Sequence, residues 1–168
     1  MPGWSHEIAN EFIRLAAEEG RTFDPMQLQK LVYIAHGWNL ASFNQPLTGD
    51  RPEAWEFGPV YVRLSEALAA YGYEPVTALI GETASVLDGF NRRAPSIAAA
   101  NLDKSELDLI SMVYQDYGGL SAGSLAQVTQ RRGSPWWSVY DDGRGVRKDI
   151  THRLIREQFV KYAQATDG

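Results

Sequence analysis

The stretch that decides the fold of this 168-residue chain is Ala54-Trp55-Glu56-Phe57-Gly58-Pro59-Val60. Its first four residues alternate in polarity as a short half-buried strand would, so we expect both aromatic rings to face the core and Ala54 and Glu56 to face outwards. Gly58 precedes a proline, which disfavours the helical region and favours an extended or glycine-only conformation. Pro59 suits the first position of a helix. The stretch is therefore predicted to lead the chain from a strand into a helix.

Helical patterns lie on both sides of this stretch. Before it, apolar spacing predicts a helix from Ser5 to Gly20, and the capping box Asp24-Pro25-Met26-Gln27 begins a second one. This second helix has so few polar residues that we expect it in the middle of the domain. Four further helices are predicted at residues 59–72, 103–117, 121–128 and 150–163.

The predicted fold class is mainly α with a small β element. We expect a single compact domain over residues 1–168, with about six helices plus a short antiparallel strand pair. Within residues 73–102, the segments 76–80 and 85–87 are candidates for short strands, and Asp88-Gly89 is a hairpin signal. Residues 131–147, which include two adjacent tryptophans, are predicted to be a loop.

Composition excludes several classes of protein. The chain has no cysteine, so disulfides and thiolate sites are absent. No run reaches the roughly 18 apolar residues of a membrane helix, and the N-terminus lacks the basic and apolar regions of a secretory signal. We therefore expect a cytoplasmic protein without a membrane partner. The net charge is −5, with 7 basic and 12 acidic residues in positions 1–100, which does not favour binding to nucleic acid.

A serine hydrolase is one alternative. Gly119-Leu120-Ser121-Ala122-Gly123 matches the G-x-S-x-G nucleophile elbow, and His152 follows it in hydrolase order. A strand must lead into that elbow, whereas an amphipathic helix leads into this one, so Ser121 is better read as the N-cap of a helix. The histidines fit no metal-ligand pattern, and His36 is expected to be a partly buried, hydrogen-bonded side chain. The sequence thus indicates no enzyme, no catalytic residue, no metal and no cofactor.

A nucleic-acid-binding regulator is a second alternative. It would use the basic residues between Arg131 and Arg156, but Asp141, Asp142 and Asp149 interrupt them, which favours a solvated face. The many aromatic residues point elsewhere, because tryptophan and tyrosine are frequent anchors of protein interfaces. Trp137 is the better candidate for exposure, since its neighbour should point the opposite way.

The sequence resembles the Panacea antitoxin domain, a family that includes SocA-like antitoxins and GepA-like phage-associated proteins. Two segments carry the resemblance most strongly, Met26-Gln27-Leu28-Gln29-Lys30-Leu31-Val32-Tyr33-Ile34-Ala35-His36-Gly37 and the opening stretch from Ala54 to Val60. It continues through Ser121, Pro135-Trp136 and Asp149-Ile150, and covers roughly residues 7–162 in order. Phe57 stands where the family usually has tyrosine.

The resemblance implies a non-catalytic domain that neutralises a cognate toxin by direct protein contact. The toxin would be encoded by the adjacent gene, and some members of the family also deliver it to a protease. We expect the partner to contact the opening stretch and an exposed part of the second helix. The predicted partner-binding residues are Gln29, Lys30, Tyr33, Trp55, Glu56, Phe57, Gly58 and Trp137.

Overall fold

The computed structural model describes residues 2–81 and 100–166. Its helices are α1 (Ser5–Glu18), α2 (Pro25–Phe43), α3 (Val62–Leu68), α4 (Lys104–Tyr117), α5 (Ala122–Thr129), α6 (Pro135–Tyr140) and α7 (His152–Thr166). One antiparallel sheet joins β1 (Glu53–Trp55) to β2 (Gly58–Val60), and single 3₁₀ turns follow α3 and α6. The predicted mainly α fold with a small β element is confirmed, with one helix more than expected in the described residues.

Helix α2 is the centre of the domain, as its sequence predicts. Asp24 caps it by accepting a hydrogen bond from the Gln27 amide at 2.7 Å, while the Gln27 side chain accepts one from the Asp24 amide. Helices α1, α4, α5 and α7 all pack against it. A Cβ on Gly37 would overlap the ring of Phe159, so glycine is required there for the close approach of α7.

The β-hairpin differs from its predicted form in which faces are buried. Ala54 is fully buried, whereas Phe57 is 64% exposed and Trp55 only partly buried. The inward orientation predicted for the two aromatic rings is therefore wrong, and so is the outward orientation of Ala54. Alternation holds only within β1, because Glu56 and Phe57 form the turn rather than continuing the strand.

Backbone pairing on both sides of β1 explains why a small residue occupies its buried position. Ala54 is opposite Pro59 in β2. On its other edge, the Ala54 amide donates to the carbonyl of Lys148 at 2.8 Å, and the Arg147 amide donates to the carbonyl of Ala54 at 2.6 Å. The segment before α7 thus acts as a third, irregular strand beside the hairpin.

The two residues after the turn confirm one expectation and contradict another. Gly58 has φ +114°, a conformation that side chains strongly disfavour, as the Gly-Pro pair predicts. Pro59 lies in β2 instead of beginning a helix. The helix α3 starts at Val62, with Tyr61 at its N-cap, because the chain first completes the hairpin.

The predicted loop at 131–147 contains the short helix α6. Ser134 caps it by accepting from the Trp137 amide at 3.2 Å, and Pro135 occupies its first turn. Trp136 is buried and stacks on Tyr140 with ring centroids 4.9 Å apart. The Ser-Pro pair is a known helix-start signal, so local sequence did contain the information.

The strand expected at residues 76–80 reduces to a single bridge between Val76 and Phe23. The strand expected at residues 85–87 and the hairpin signal at Asp88-Gly89 lie outside the described residues. None of the helices in the described ranges is long and apolar enough to cross a membrane.

Candidate partner-binding site

Two polar side chains of α2 fix the hairpin to the core. Gln29 Nε2 donates to the carbonyl of Tyr61 at 3.0 Å, and Gln29 Oε1 accepts from the Tyr61 amide at 2.8 Å. Lys30 Nζ donates to the carbonyl of Pro59 at 3.2 Å. Both side chains are buried, so their hydrogen bonds to the hairpin are largely shielded from water.

The opposite side of the hairpin is held by α6 and the segment before α7. The indole N–H of Trp136 donates to the carbonyl of Trp55 at 2.6 Å. The guanidinium of Arg147 lies over the Trp55 ring, 4.7 Å from its centroid, a cation–π distance. Trp55 Nε1 donates to Glu53 Oε1 at 3.1 Å, so this ring is held in one orientation.

A groove of about 430 Å³ lies between the hairpin, the first turns of α2 and the end of α3. We call it the hairpin groove. Its walls include Met26, Lys30, Trp55, Phe57, Leu68 and Tyr73. Phe57 and Tyr73 form its exposed rim, with 64% and 91% of their surfaces accessible. Pockets of this volume are typical of sites that receive a few side chains or a small molecule.

The structure brings together most of the predicted partner-binding residues. Trp55, Glu56 and Phe57 line the hairpin groove, and Gln29 and Lys30 form part of its floor.

The expectation that the second helix is exposed at these positions is wrong. Gln29, Lys30 and Tyr33 are at most 7% accessible. Tyr33 packs edge-on against Phe159 in the core, away from the groove, and burial raises the pKa of its hydroxyl above the usual value. Gly58 is buried at the hairpin turn, where it has a backbone role.

Trp137 is 47% exposed, as predicted, although it lies on the helix α6 and not in an extended loop. The guanidinium of Arg132 lies 6.0 Å from its ring centroid. Because α6 packs on β1, Trp137 belongs to the same part of the surface as the hairpin, outside the hairpin groove.

Sequence reasoning missed Met26, Leu68 and Tyr73 as groove residues. The first two occupy ordinary helix positions, and nothing in their spacing indicates a groove. Tyr73 follows Gly72 at the start of a segment without a clear periodic pattern.

Ser121 has the N-cap role that its sequence context favours. Its hydroxyl accepts from the Ser124 amide and donates to the Ser124 hydroxyl, both at 3.1 Å. The helix α4 leads into it, and His152 packs on His36 with ring centroids 4.8 Å apart. The arrangement therefore lacks the strand-to-helix turn on which the hydrolase alternative depends.

His36 is fully buried and hydrogen-bonded, and so more enclosed than expected. Its Nδ1 accepts from the amides of Leu47 and Thr48, each at 3.2 Å. Burial lowers the pKa of His36 to about 3, with a smaller contribution from His152. The ring is therefore neutral at physiological pH. No cluster of three or more possible metal-ligating residues occurs in the described ranges.

Three basic residues of the C-terminal third make local contacts. Arg144 pairs with Asp141 at 2.8 Å, Arg153 pairs with Glu157 at 3.1 Å, and Arg147 covers Trp55. These contacts divide the positive charge among neighbouring acids and rings, as the interrupted sequence pattern suggests.

Residues 28–137 match the family described as "Antitoxin SocA-like, Panacea domain". The chain belongs to that family. It is also 28% identical over 157 residues to Antitoxin SocA of Caulobacter vibrioides (strain NA1000 / CB15N), with 90% of this chain and 80% of that protein covered. No solved structure matches the chain. The matched range contains most of α2, the hairpin, α3 and the first half of α6, and so covers most of the elements that build the hairpin groove and its surroundings.

Proposed function

We propose that this Panacea-domain protein neutralises a toxin protein by binding it directly, through the hairpin groove and the exposed residues around it. The observation that carries the proposal is a concave apolar groove with two highly exposed aromatic side chains at its rim. Exposed aromatic side chains next to a groove are typical of interface anchors, because they bury much area at little cost in conformational entropy. Membership of an antitoxin family indicates that the partner is a toxin.

The supports of the groove favour recognition of a protein by a surface that is already formed. Gln29, Lys30 and Trp136 fix the hairpin by hydrogen bonds to Tyr61, Pro59 and Trp55. A surface held in its bound shape loses little entropy on association. The rim, in contrast, is free to contact a partner.

Co-expression with the product of the adjacent gene in the cytoplasm of a bacterial host tests the proposal. We expect that product to stop growth alone, growth to recover with this chain, and the two proteins to co-purify. A Glu56→Lys variant should fold normally and rescue growth poorly, because Glu56 is exposed in the turn beside the groove. The matched control is Asp116→Lys, a charge reversal at an exposed position on α4.

Two outcomes would contradict the proposal. An adjacent gene product that is harmless, or that remains toxic with this chain present, would rule out neutralisation of that protein. Full rescue by Glu56→Lys would place the contact surface elsewhere.

We also propose that this chain acts as an adaptor that delivers the bound toxin to a protease, as some members of the family do. If so, the half-life of the toxin should shorten when this chain is present and should return to its original value in protease-deficient cells. An unchanged half-life would leave binding alone as the means of neutralisation.

A further inference from the structure

Lys30 is a buried cation without a buried anion. Its side chain is only 2% accessible. Burial lowers the pKa of its amine to about 8, so the amine remains largely charged at neutral pH. Among the described residues, no carboxylate forms an ion pair with it, and its one hydrogen-bond acceptor is the carbonyl of Pro59.

An ammonium group has three N–H donors, so the contact with Pro59 satisfies one of them. Buried lysines are normally paired, because a charge that has lost its water is costly unless another charge replaces it. The amine lies close against the hairpin, because a Cβ on Gly58 would be 2.6 Å from Lys30 Nζ. Lys30 is therefore buried beside the hairpin with two of its donors unpaired in the described residues.

The surroundings of Lys30 show where a partner for it would enter. Lys30 lines the hairpin groove together with Met26 of α2, Leu68 of α3, and Trp55 and Phe57 of the hairpin. An anion in the groove would face this cation and mostly apolar side chains, with the exposed Glu56 of the hairpin turn as the one acidic residue of the lining. We propose that the groove receives an acidic side chain of the toxin, whose carboxylate pairs with the Lys30 ammonium. This inference rests on the function proposed above.

The shape and chemistry of the groove favour an aspartate or glutamate of a protein over a free ion. A hydrated ion entering the groove would exchange its water for one cation and apolar walls, which is unfavourable. An acidic side chain brings its own methylene groups and neighbouring residues, which the apolar walls and the rim residues Phe57 and Tyr73 can cover. The domain has a net charge of −5, so the attraction for an acidic side chain comes from Lys30 itself and not from the overall charge of the protein.

A peptide selection tests the inference and does not require the toxin itself. A phage library of random 12-residue peptides is selected on the full chain at pH 7, after depletion on a Lys30→Met variant. We expect the recovered peptides to carry one aspartate or glutamate flanked by apolar residues. A synthetic peptide of this kind should bind Lys30→Met roughly thirtyfold more weakly, or worse, since loss of one member of a buried charge pair has effects of that size.

Three comparisons isolate the charge pair. Replacing the acidic residue of the peptide by its amide should weaken binding to the original chain by a similar factor and should have little further effect on Lys30→Met. Lys161→Met, which removes an exposed lysine from α7, should bind normally. Thermal unfolding verifies that the Lys30→Met variant is folded. If that variant is not folded, Lys30→Gln, which keeps a hydrogen-bond donor for the Pro59 carbonyl, is used in its place.

Selected peptides without acidic enrichment, or with equal affinity for the original chain and Lys30→Met, would overturn the inference. If acetate displaced the peptide at the same concentration as the peptide, a free carboxylate would suffice for binding. That result would also contradict recognition of an acidic side chain. Growth rescue separates this failure from failure of the proposed function. If Lys30→Met rescues fully while Phe57→Ser does not, the surface is correct and the charge pair is wrong. If the original chain does not rescue, the proposed function is wrong.

Discussion

The side chain of Gln29 holds both backbone polar groups of Tyr61, donating to its carbonyl at 3.0 Å and accepting from its amide at 2.8 Å. This pair of hydrogen bonds links the central helix to the point where the hairpin ends and α3 begins. An amide side chain can match a main-chain N–H and C=O in this way because it carries one acceptor and two donors. The contact positions the floor of the hairpin groove relative to its wall.

Replacing Gln29 by leucine should destabilise the fold. The substitution keeps a similar volume but leaves the N–H of buried Tyr61 without a partner, while the Tyr61 C=O keeps the hydrogen bond from the Ser65 amide, so the cost should be about 2 kcal/mol. Urea unfolding followed by circular dichroism measures the change. The control is Gln115→Leu at an exposed position on α4, which should stay within about 0.5 kcal/mol of the original. Equal effects of the two substitutions would show that the hydrogen bonds between Gln29 and Tyr61 contribute nothing to stability.

Gly58→Ala should also destabilise the protein, by about 1–3 kcal/mol. Its φ of +114° strains any residue with a Cβ, and the added carbon would crowd Lys30 Nζ at 2.6 Å. Gly119→Ala is the matched control, because its φ lies outside the left-handed region and nothing lies within 4 Å of its added Cβ. A Gly58→Ala variant as stable as Gly119→Ala would contradict the hairpin geometry.

The buried amine of Lys30 should make the protein more stable at alkaline pH. Burial lowers its pKa from 10.5 to about 8 in the folded chain, so between these values the unfolded chain holds a proton that the folded chain has released. Stability contributed by this group therefore rises with pH across that window. Below pH 8 both states are protonated and the cost is constant, at roughly 3 kcal/mol.

Lys30→Met should remove this pH dependence. At pH 7 the variant should be as stable as the original or up to about 2 kcal/mol more stable, since the lost hydrogen bond to Pro59 offsets part of the gain. From pH 7 to 9.5 the original should gain about 2 kcal/mol relative to the variant. The tyrosines are common to both proteins, so the effect of their titration cancels when the free energy of unfolding of the variant is subtracted from that of the original at each pH. A difference that stays constant with pH would show that the amine of Lys30 is not desolvated.

Sequence patterns predicted the fold well where one element is apolar over a long stretch. The central position of α2 follows from its near absence of polar residues, and its capping box fixes where it begins. The same reasoning placed Gln29 and Lys30 outside, because polar side chains usually face water. It failed because these two serve buried backbone groups of the hairpin, which no local pattern reveals.

The predicted residues of the opening stretch do border the hairpin groove, but the buried and exposed faces of the strand were assigned wrongly. Strand alternation assigns faces correctly only when the strand continues, and β1 has three residues before the turn. Ala54 is buried because a segment about 94 residues further along the chain pairs with its outer edge. The groove likewise depends on the meeting of α2, the hairpin and α3. Such long-range contacts are invisible to a reading of neighbouring residues.

His36 should contribute to unfolding in acid. Burial and the nearby His152 lower its pKa from 6.5 to about 3, so between these values only the unfolded chain is protonated at this site. Stability is therefore lost as the pH falls through this window, by roughly 2–3 kcal/mol at pH 4.5. Around the His36 ring, Tyr61 lies edge-on with the two ring centroids 6.5 Å apart, and the Thr48 amide donates to Nδ1.

A His36→Asn variant tests this expectation. Its side-chain oxygen can still accept from the amides of Leu47 and Thr48, but it does not titrate. At neutral pH the smaller side chain should lower stability, and between pH 6.5 and 4 the variant should lose less stability than the original. His6→Asn makes the same substitution outside the core and is the matched control for stability at neutral pH. Parallel acid-unfolding curves for the original and His36→Asn would contradict the prediction.

Phe57→Ser should weaken toxin binding without weakening the fold. The ring is 64% exposed at the rim of the hairpin groove, so its loss removes little buried surface from the folded protein. In a complex, an aromatic anchor of this kind contributes about 2 kcal/mol, which corresponds to roughly a thirtyfold rise in Kd. Phe43→Ser is the matched control, because Phe43 is 45% exposed at the end of α2 and lies outside the groove. Both variants should unfold close to the original temperature, and only Phe57→Ser should bind weakly by calorimetry. Equal Kd values for the two variants would place the toxin on another surface.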